Sequence, residues 1–154
     1  MNLTVRPLRG DEYDGWLEAT KAGYVGDMIR AGVPEAGARE KGEQDFATLL
    51  GSGVETEGQS LYILEAGDEV VGNLWLSERK DDLGKTLFVY NVAIGEGHRG
   101  RGLGRAAMEW VEGEARRRGI SFVTLNVFGG NDVARGLYRS LGYDEIAVYM
   151  RKAL

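Results

Sequence analysis

The chain has 154 residues, 43% of them hydrophobic and 28% charged, with a formal net charge of −5. It is long enough to bury a core, and its composition is that of an ordinary globular protein. Cysteine is absent, which excludes disulfides, thiolate catalysis and cysteine-bearing zinc sites, and the net acidity argues against a general nucleic-acid binder.

"NLTVRPL" (2–8) alternates apolar and polar residues and predicts a first strand. From Gly10 to Leu50 the pattern is helical, in two pieces divided at "AGVPEAG" (31–37), where Pro34 can start the second helix. "GSGVETEGQS" (51–60) reads as a loop. "LYILEAGDEVVGNLWLS" (61–77) reads as two strands joined by a tight turn at "AGDE". "ERKDDLGK" (78–85) is expected to be a polar connection, and the apolar run "TLFVYNVAI" (86–94) a central strand covered on both faces. Leu103, Ala106, Ala107, Trp110, Val111 and Ala115 then recur at helical spacing, and "RRRG" (116–119) closes that helix with cations and a glycine. "ISFVTLNVF" (120–128) predicts another buried strand, "DVARGLYRSLG" a short helix, and "YDEIAVYMRKAL" (143–154) a last strand. With no internal repeat, the order β–αα–β–β–β–α–β–α–β predicts one mixed α/β domain over 1–154. The opening stretch lacks the apolar core of a signal peptide and no run approaches a membrane span, so a cytoplasmic protein that does not enter a membrane is expected.

Between strand 86–94 and the helix that follows lies "GHRGRGLGRAAM" (97–108), with four glycines and three arginines in twelve residues. The first turn of a helix leaves backbone N–H groups unpaired, and its dipole favours a negative guest. Glycines let the backbone approach that guest, and Arg99, Arg101 and Arg105 add charge-assisted donors, so phosphate is the natural ligand. A nucleoside-triphosphate loop fails on spacing, because Leu103 and Gly104 stand where Lys and Ser or Thr are needed. A dinucleotide fingerprint through Gly102, Gly104 and Ala107 lacks its acidic ribose partner at the end of the next strand, where Asn126, Val127 and Phe128 lie. The sole histidine, His98, reads as an exposed loop residue.

"RGRGLG" (99–104) matches Arg/Gln-x-x-Gly-x-Gly/Ala, the coenzyme A pyrophosphate motif of the GNAT N-acetyltransferase superfamily. "YNVAI" resembles the family's preceding strand, and "LNVFGGNDVARGLYRSLGY" (125–143) its later Asn-x-x-Ala-x-x-Leu-Tyr segment. The resemblance covers 60–154 closely and the N-terminal strand and helix pair more loosely. It implies a single GNAT domain with two central splayed strands, helices on both faces, and acetyl-coenzyme A (acetyl-CoA) bound between strands 86–94 and 120–128. Val92, Ala93 and Ile94 would pair with the cofactor along an open strand edge, as a peptide adds to a sheet. Arg99, Gly100, Arg101, Gly102, Leu103, Gly104 and Arg105 would cradle its pyrophosphate. Asn131 would contact the cofactor arm and Tyr138 would stand near the sulfur as the catalytic acid. Without the resemblance, Asn131 reads as a helix N-cap and Tyr138 as a core aromatic. No metal is implied.

The implied reaction is direct transfer of an acetyl group to an amine of a small molecule or a peptide. Histone-type members carry a glutamate six residues before the position of Ile94; here that residue is Phe88. Glu65, Tyr90, or Asn91 through a water are the remaining candidates for a base, and nothing in the sequence selects among them. Tyr24, Tyr62, Trp75 and Tyr90 are candidates to line an acceptor groove. Residues 1–60 hold eleven acids and six bases, which suits a cationic acceptor. A non-catalytic acyl-CoA sensor would keep the loop without turnover, and the expected state is monomer or homodimer.

Overall fold

The computed structural model describes residues 2–154. One five-stranded sheet runs through it: β1 Leu3–Pro7, β2 Gln59–Ala66, β3 Glu69–Asp81, β4 Gly84–Ile94 and β5 Phe122–Leu125, side by side in that order. The first four strands are mutually antiparallel, and β5 joins β4 in parallel after a helical crossover. Helices α1 (Tyr13–Arg30) and α2 (Glu35–Leu49) cover one face; α3 (Leu103–Arg117) and α4 (Asp132–Ser140) belong to the other.

The two faces have different cores. On the α3 side Leu64, Val71, Leu74, Leu76, Leu87 and Val89 meet Leu103, Ala107, Met108, Val111 and Ala115, the stripe that the helical period marks. On the α1–α2 side the core is aromatic: Trp16 and Phe46 pack on Trp75 with ring centroids 5.6 and 5.5 Å apart, over Leu61 and Ile63. Helix α3 ends where Gly119 takes φ +71°, with Ile120 N–H returning to Ala115 O at 2.8 Å.

Three sequence expectations are corrected. "ERKDDLGK" is not a free connection, because β3 and β4 extend into it and turn at Asp82–Leu83. Asp81 Oδ1 accepts from Leu83 N–H there, and both faces of this hairpin tip are wet, so its alternation carries no hydrophobic signal. β5 stops at Leu125 rather than Phe128; Asn126, Val127 and Phe128 are exposed. Residues 143–154 form no strand at all. Their alternation suits a strand, but a strand needs a neighbour to satisfy its backbone, and none pairs with them.

Candidate active site

β4 and β5 part company within the sheet. Their parallel register runs only from Thr86↔Phe122 to Val89↔Leu125, whereas β4 continues to Ile94 alongside β3. A bulge opens the split: Trp75 pairs with Asn91 and Leu76 with Val89, leaving Tyr90 as the extra residue. Beyond it, β4 is paired on one side only, and backbone groups among Val92, Ala93 and Ile94 face the gap. On the paired side the backbones come unusually close. A Cβ on Gly72 would lie 2.1 Å from Ala93 O, so only glycine fits there.

The glycine loop closes the end of this gap. A short turn at Glu96–His98 leads to Gly100 and Gly102, with φ +76° and +77°, a conformation that L side chains rarely adopt. Buried Leu103 seats the start of α3, whose first intrahelical bond is Ala106 N–H to Gly102 O. The N–H groups of the preceding first turn therefore point outward at the positive end of the helix. Arg99 Nε donates to Ile94 O at 3.1 Å and ties the loop to the strand end. Arg101 Nη1 lies 3.2 Å from His98 Nδ1, and Arg105 is bonded to Ser140 Oγ on α4.

α4 is held against the same place. Leu137 Cδ2 lies 3.5 Å from where a Cβ would stand on Gly104. Asn131 Oδ1 accepts from Ala134 N–H at 3.2 Å and caps α4, the local role its position after Gly-Gly suggests. Tyr138 is half-buried in the α3-side core with Val92 and Ile94, stacked on Tyr143 at 5.8 Å. Burial pushes its phenol above the usual tyrosine range. No described residue bonds its hydroxyl, whereas Tyr143 Oη donates to Glu112 Oε2 at 3.4 Å. The structure thus gathers the β4 edge, the loop, the first turn of α3 and α4 at one mouth.

The other face of the bulge is polar and aromatic. Asn91 Nδ2 donates to Asn73 Oδ1 at 2.7 Å, and Trp16 Nε1 donates to the same oxygen at 3.3 Å. Tyr90 stacks on Trp75 at 4.4 Å, and the Arg79 guanidinium lies 3.7 Å from the Phe88 centroid and 4.5 Å from that of Tyr90. Tyr24 Oη donates to Asp45 Oδ2 at 2.7 Å, and burial pushes its phenol up to about 12. Tyr24, Trp75 and Tyr90 therefore share the α1–α2 side. Tyr62 does not: it faces α3, packs on Trp110 at 5.0 Å and accepts from Arg118 Nη2. Glu65 is also displaced as a base, being ion-paired to Arg6 at 2.8 Å on β2, two strands from β4. Asn73 escaped the sequence reading although a lone amide in the apolar run "VVGNLWL" marks it; Arg79, in a charge cluster, had no such mark.

Among the described residues no three His, Asp or Glu side chains are grouped to hold a metal ion, and no helix is long and apolar enough to cross a membrane. The model of the acetyltransferase (GNAT) family matches residues 27–143. Over 157 residues, the whole of both chains, the sequence is 31% identical to the uncharacterized N-acetyltransferase YycN of Bacillus subtilis. It is 28% identical to YdgE of the same organism, over all of this chain and 99% of that one. The crystal structure of B. subtilis YycN superposes with a TM-score of 0.92 over 99% of each chain. An acetyltransferase of Clostridium acetobutylicum solved with acetyl-CoA shares the fold at TM-score 0.68 and 14% identity, over 99% of this chain and 96% of that one. The chain belongs to the acetyltransferase (GNAT) family and is an acetyl-CoA-dependent acyltransferase.

Proposed function

We propose that the protein is an N-acetyltransferase whose donor site is the mouth between β4 and β5, and whose acceptor is a cationic amine of a small molecule or peptide. The observation that carries this reading is the early end of the β4–β5 ladder at Val89 and Leu125, while β4 runs on to Ile94 and into the glycine loop. An open strand edge pairs with an amide-bearing arm, and the first turn of α3 takes a diphosphate. The residues present fit both parts of acetyl-CoA. Gly100 and Gly102 adopt backbone that needs glycine, and a Cβ on either would meet nothing, so neither is kept small by packing. When bound, acetyl-CoA supplies a thioester carbonyl, which the amine attacks in its neutral form after releasing its ammonium proton to solvent, the C–S bond breaking as the C–N bond forms.

In this assignment Val92, Ala93 and Ile94 bind and orient the donor through their backbone, and an N–H of this edge stabilises the charge that grows on the acyl oxygen. Gly100 to Arg105 hold the pyrophosphate, with Arg99, Arg101 and Arg105 supplying positive charge. Asn131 adds an amide NH2 beyond its capping oxygen. Tyr138 holds a proton for the leaving sulfur: a phenol carries its proton at neutral pH, and burial pushes this one further in that direction. On the other side of the bulge, Asn91 offers its amide oxygen to the incoming amine directly or through water. The bond to Asn73 engages its NH2, and no described hydrogen bond engages its oxygen.

The test is a panel of primary amines with acetyl-CoA, read as thiol release. The chain has no cysteine, so a thiol reagent reports free coenzyme A alone. Release that depends on the amine, with one acetyl group on the amine nitrogen by mass spectrometry, supports the reading. Binding of acetyl-CoA without turnover on any amine would replace it with an acyl-CoA sensor.

A further inference from the structure

A cation stands beside the bulge on the α1–α2 side of the sheet. By strand alternation Arg79 shares its face of β3 with Ser77 and Trp75, and so lies on the surface proposed for the acceptor. Its guanidinium lies 3.7 Å from the centroid of Phe88 and 4.5 Å from that of Tyr90, and Nη2 donates to Tyr90 Oη. Tyr90 is the extra residue of the bulge, and Asn91 follows it. The charge is therefore fixed next to the point where β4 and β5 separate, which an incoming amine must approach.

No group of the protein neutralises this charge. Tyr90 accepts a hydrogen bond without bringing a negative charge, and among the described residues no carboxylate is ion-paired with Arg79. Glu78, one residue earlier, faces the other side of the sheet, where Lys85 and Arg118 lie 3.6 and 4.0 Å from it. Asp81, two residues on, accepts from Leu83 N–H at the hairpin tip. Asp45, on the acceptor side, is already engaged by Tyr24 and by Lys41. Arg79 is exposed, yet two rings hold its plane. A stacked guanidinium has little rotamer freedom left to lose, and it meets a carboxylate through two parallel hydrogen bonds. A fixed cation at this place also disfavours an acceptor that brings only further positive charge.

We propose that Arg79 is a specificity-determining residue that binds a carboxylate of the acceptor. The acceptor class is then an amine that also carries a carboxylate, as an amino acid or a peptide does. This rests on the acetyl-transfer reading above and narrows it. Arg79 stays charged throughout and exchanges no proton with the reacting groups; it selects and orients the molecule whose amine lies toward Asn91.

The test uses acceptors that differ only in that charge: β-alanine, γ-aminobutyrate, ε-aminocaproate, diglycine and triglycine, each against its amide, with thiol release as the readout. The parent protein is predicted to favour the carboxylate member by about tenfold or more in kcat/KM, chiefly through KM. Arg79→Gln is predicted to lower kcat/KM for the carboxylates about 10- to 100-fold more than for their amides. Arg79→Lys keeps the charge without the planar fork and is predicted to restore part of the preference. A larger preference among the ω-amino acids or among the peptides tells which of the two sources the site is shaped for. Equal kcat/KM for acids and amides in the parent, or an Arg79→Gln loss shared equally by both members of each pair, would overturn the proposal while leaving acetyl transfer intact. Calorimetry with the same compounds separates the two readings. Carboxylates that bind the parent but not Arg79→Gln, with no turnover of any amine, would sink acetyl transfer and keep the carboxylate site; neither binding nor turnover would sink both.

Discussion

Tyr138 carries the most chemistry per atom. It packs, as Val92 and Ile94 do, against the α3-side core, its phenol is pushed up by burial, and no described residue bonds its hydroxyl. Tyr138→Phe keeps the ring packing and removes the proton. It is predicted to lower kcat on the order of 100-fold while leaving acetyl-CoA affinity within about twofold. An unchanged kcat in steady-state assays contradicts the acid role. Gly102 is the matching residue on the binding side. Gly102→Ala forces a side chain into φ +77° and is predicted to cost about 1–2 kcal/mol of stability and to weaken acetyl-CoA binding, both readable by urea melts and calorimetry. Gly72→Ala, facing Ala93 O at 2.1 Å, is predicted to be worse. Its Cβ must displace the β4 backbone, so loss of several kcal/mol or of folded protein is expected in the same melts. Gly102 was legible from the motif spacing, and Gly100 only as part of the glycine-rich run. Gly72 was not, because a close approach between two strands leaves no trace in one strand's pattern.

At the scale of elements, helix α3 was read from its period and its closing cations and glycine, and α4 from "DVARGLYRSLG" after the Gly-Gly turn. Strand β5 was overextended. "ISFVTLNVF" is mostly apolar, but the partner that would keep Val127 and Phe128 in a ladder departs with β4 at the bulge. The same tertiary event that shortens β5 makes the mouth, which is why the site's residues were easier to name than its shape. The far end of α3 carries a separate electrostatic device. Glu114 is buried and receives Arg117 Nη2 and Nε (Nε at 2.8 Å) and Arg118 Nε at 2.8 Å, while Arg118 reaches on to Tyr62. The hydrogen bonds from Arg117, then Arg118, outweigh burial and hold this carboxyl at about 2, against 4.5 unperturbed. A lowered folded-state pKa stabilises the fold fully above about pH 4.5 and is lost as pH falls toward 2. Urea melts are predicted to show about 2 kcal/mol lost through Glu114 over that window, less than the full shift implies because Arg117 is exposed to water. Glu114→Gln is predicted to be less stable at pH 7 and to show a correspondingly flatter decline; a decline as steep as the parent's would mean that Glu114 contributes nothing to it.

For the molecule as a whole, the division of labour between the two faces was only half visible in sequence. The donor side announces itself, because phosphate binding demands glycine, positive charge and a helix start in one short run. The proposed acceptor side draws Trp16 and Tyr24 from α1, Asn73 from β3 and Tyr90 and Asn91 from β4, three elements that only the folded sheet brings together. Tyr62 shows the difficulty: as an aromatic residue it was a candidate for that groove, yet strand alternation sends it to α3. The outer edge of β5 and the unpaired residues 143–154 likewise come into view only once the last expected strand fails to find a neighbour.

The central claim is that the mouth between β4 and β5 binds acetyl-CoA. Melting the protein with and without acetyl-CoA at a hundred times its dissociation constant tests it most directly. Such binding adds about 2.7 kcal/mol to the folded state, which for a chain of this length raises Tm by about 5–10 °C. The same concentration of acetyl-CoA is predicted to shift Gly102→Ala by less. An unmoved Tm in a protein that is folded by circular dichroism would contradict the account.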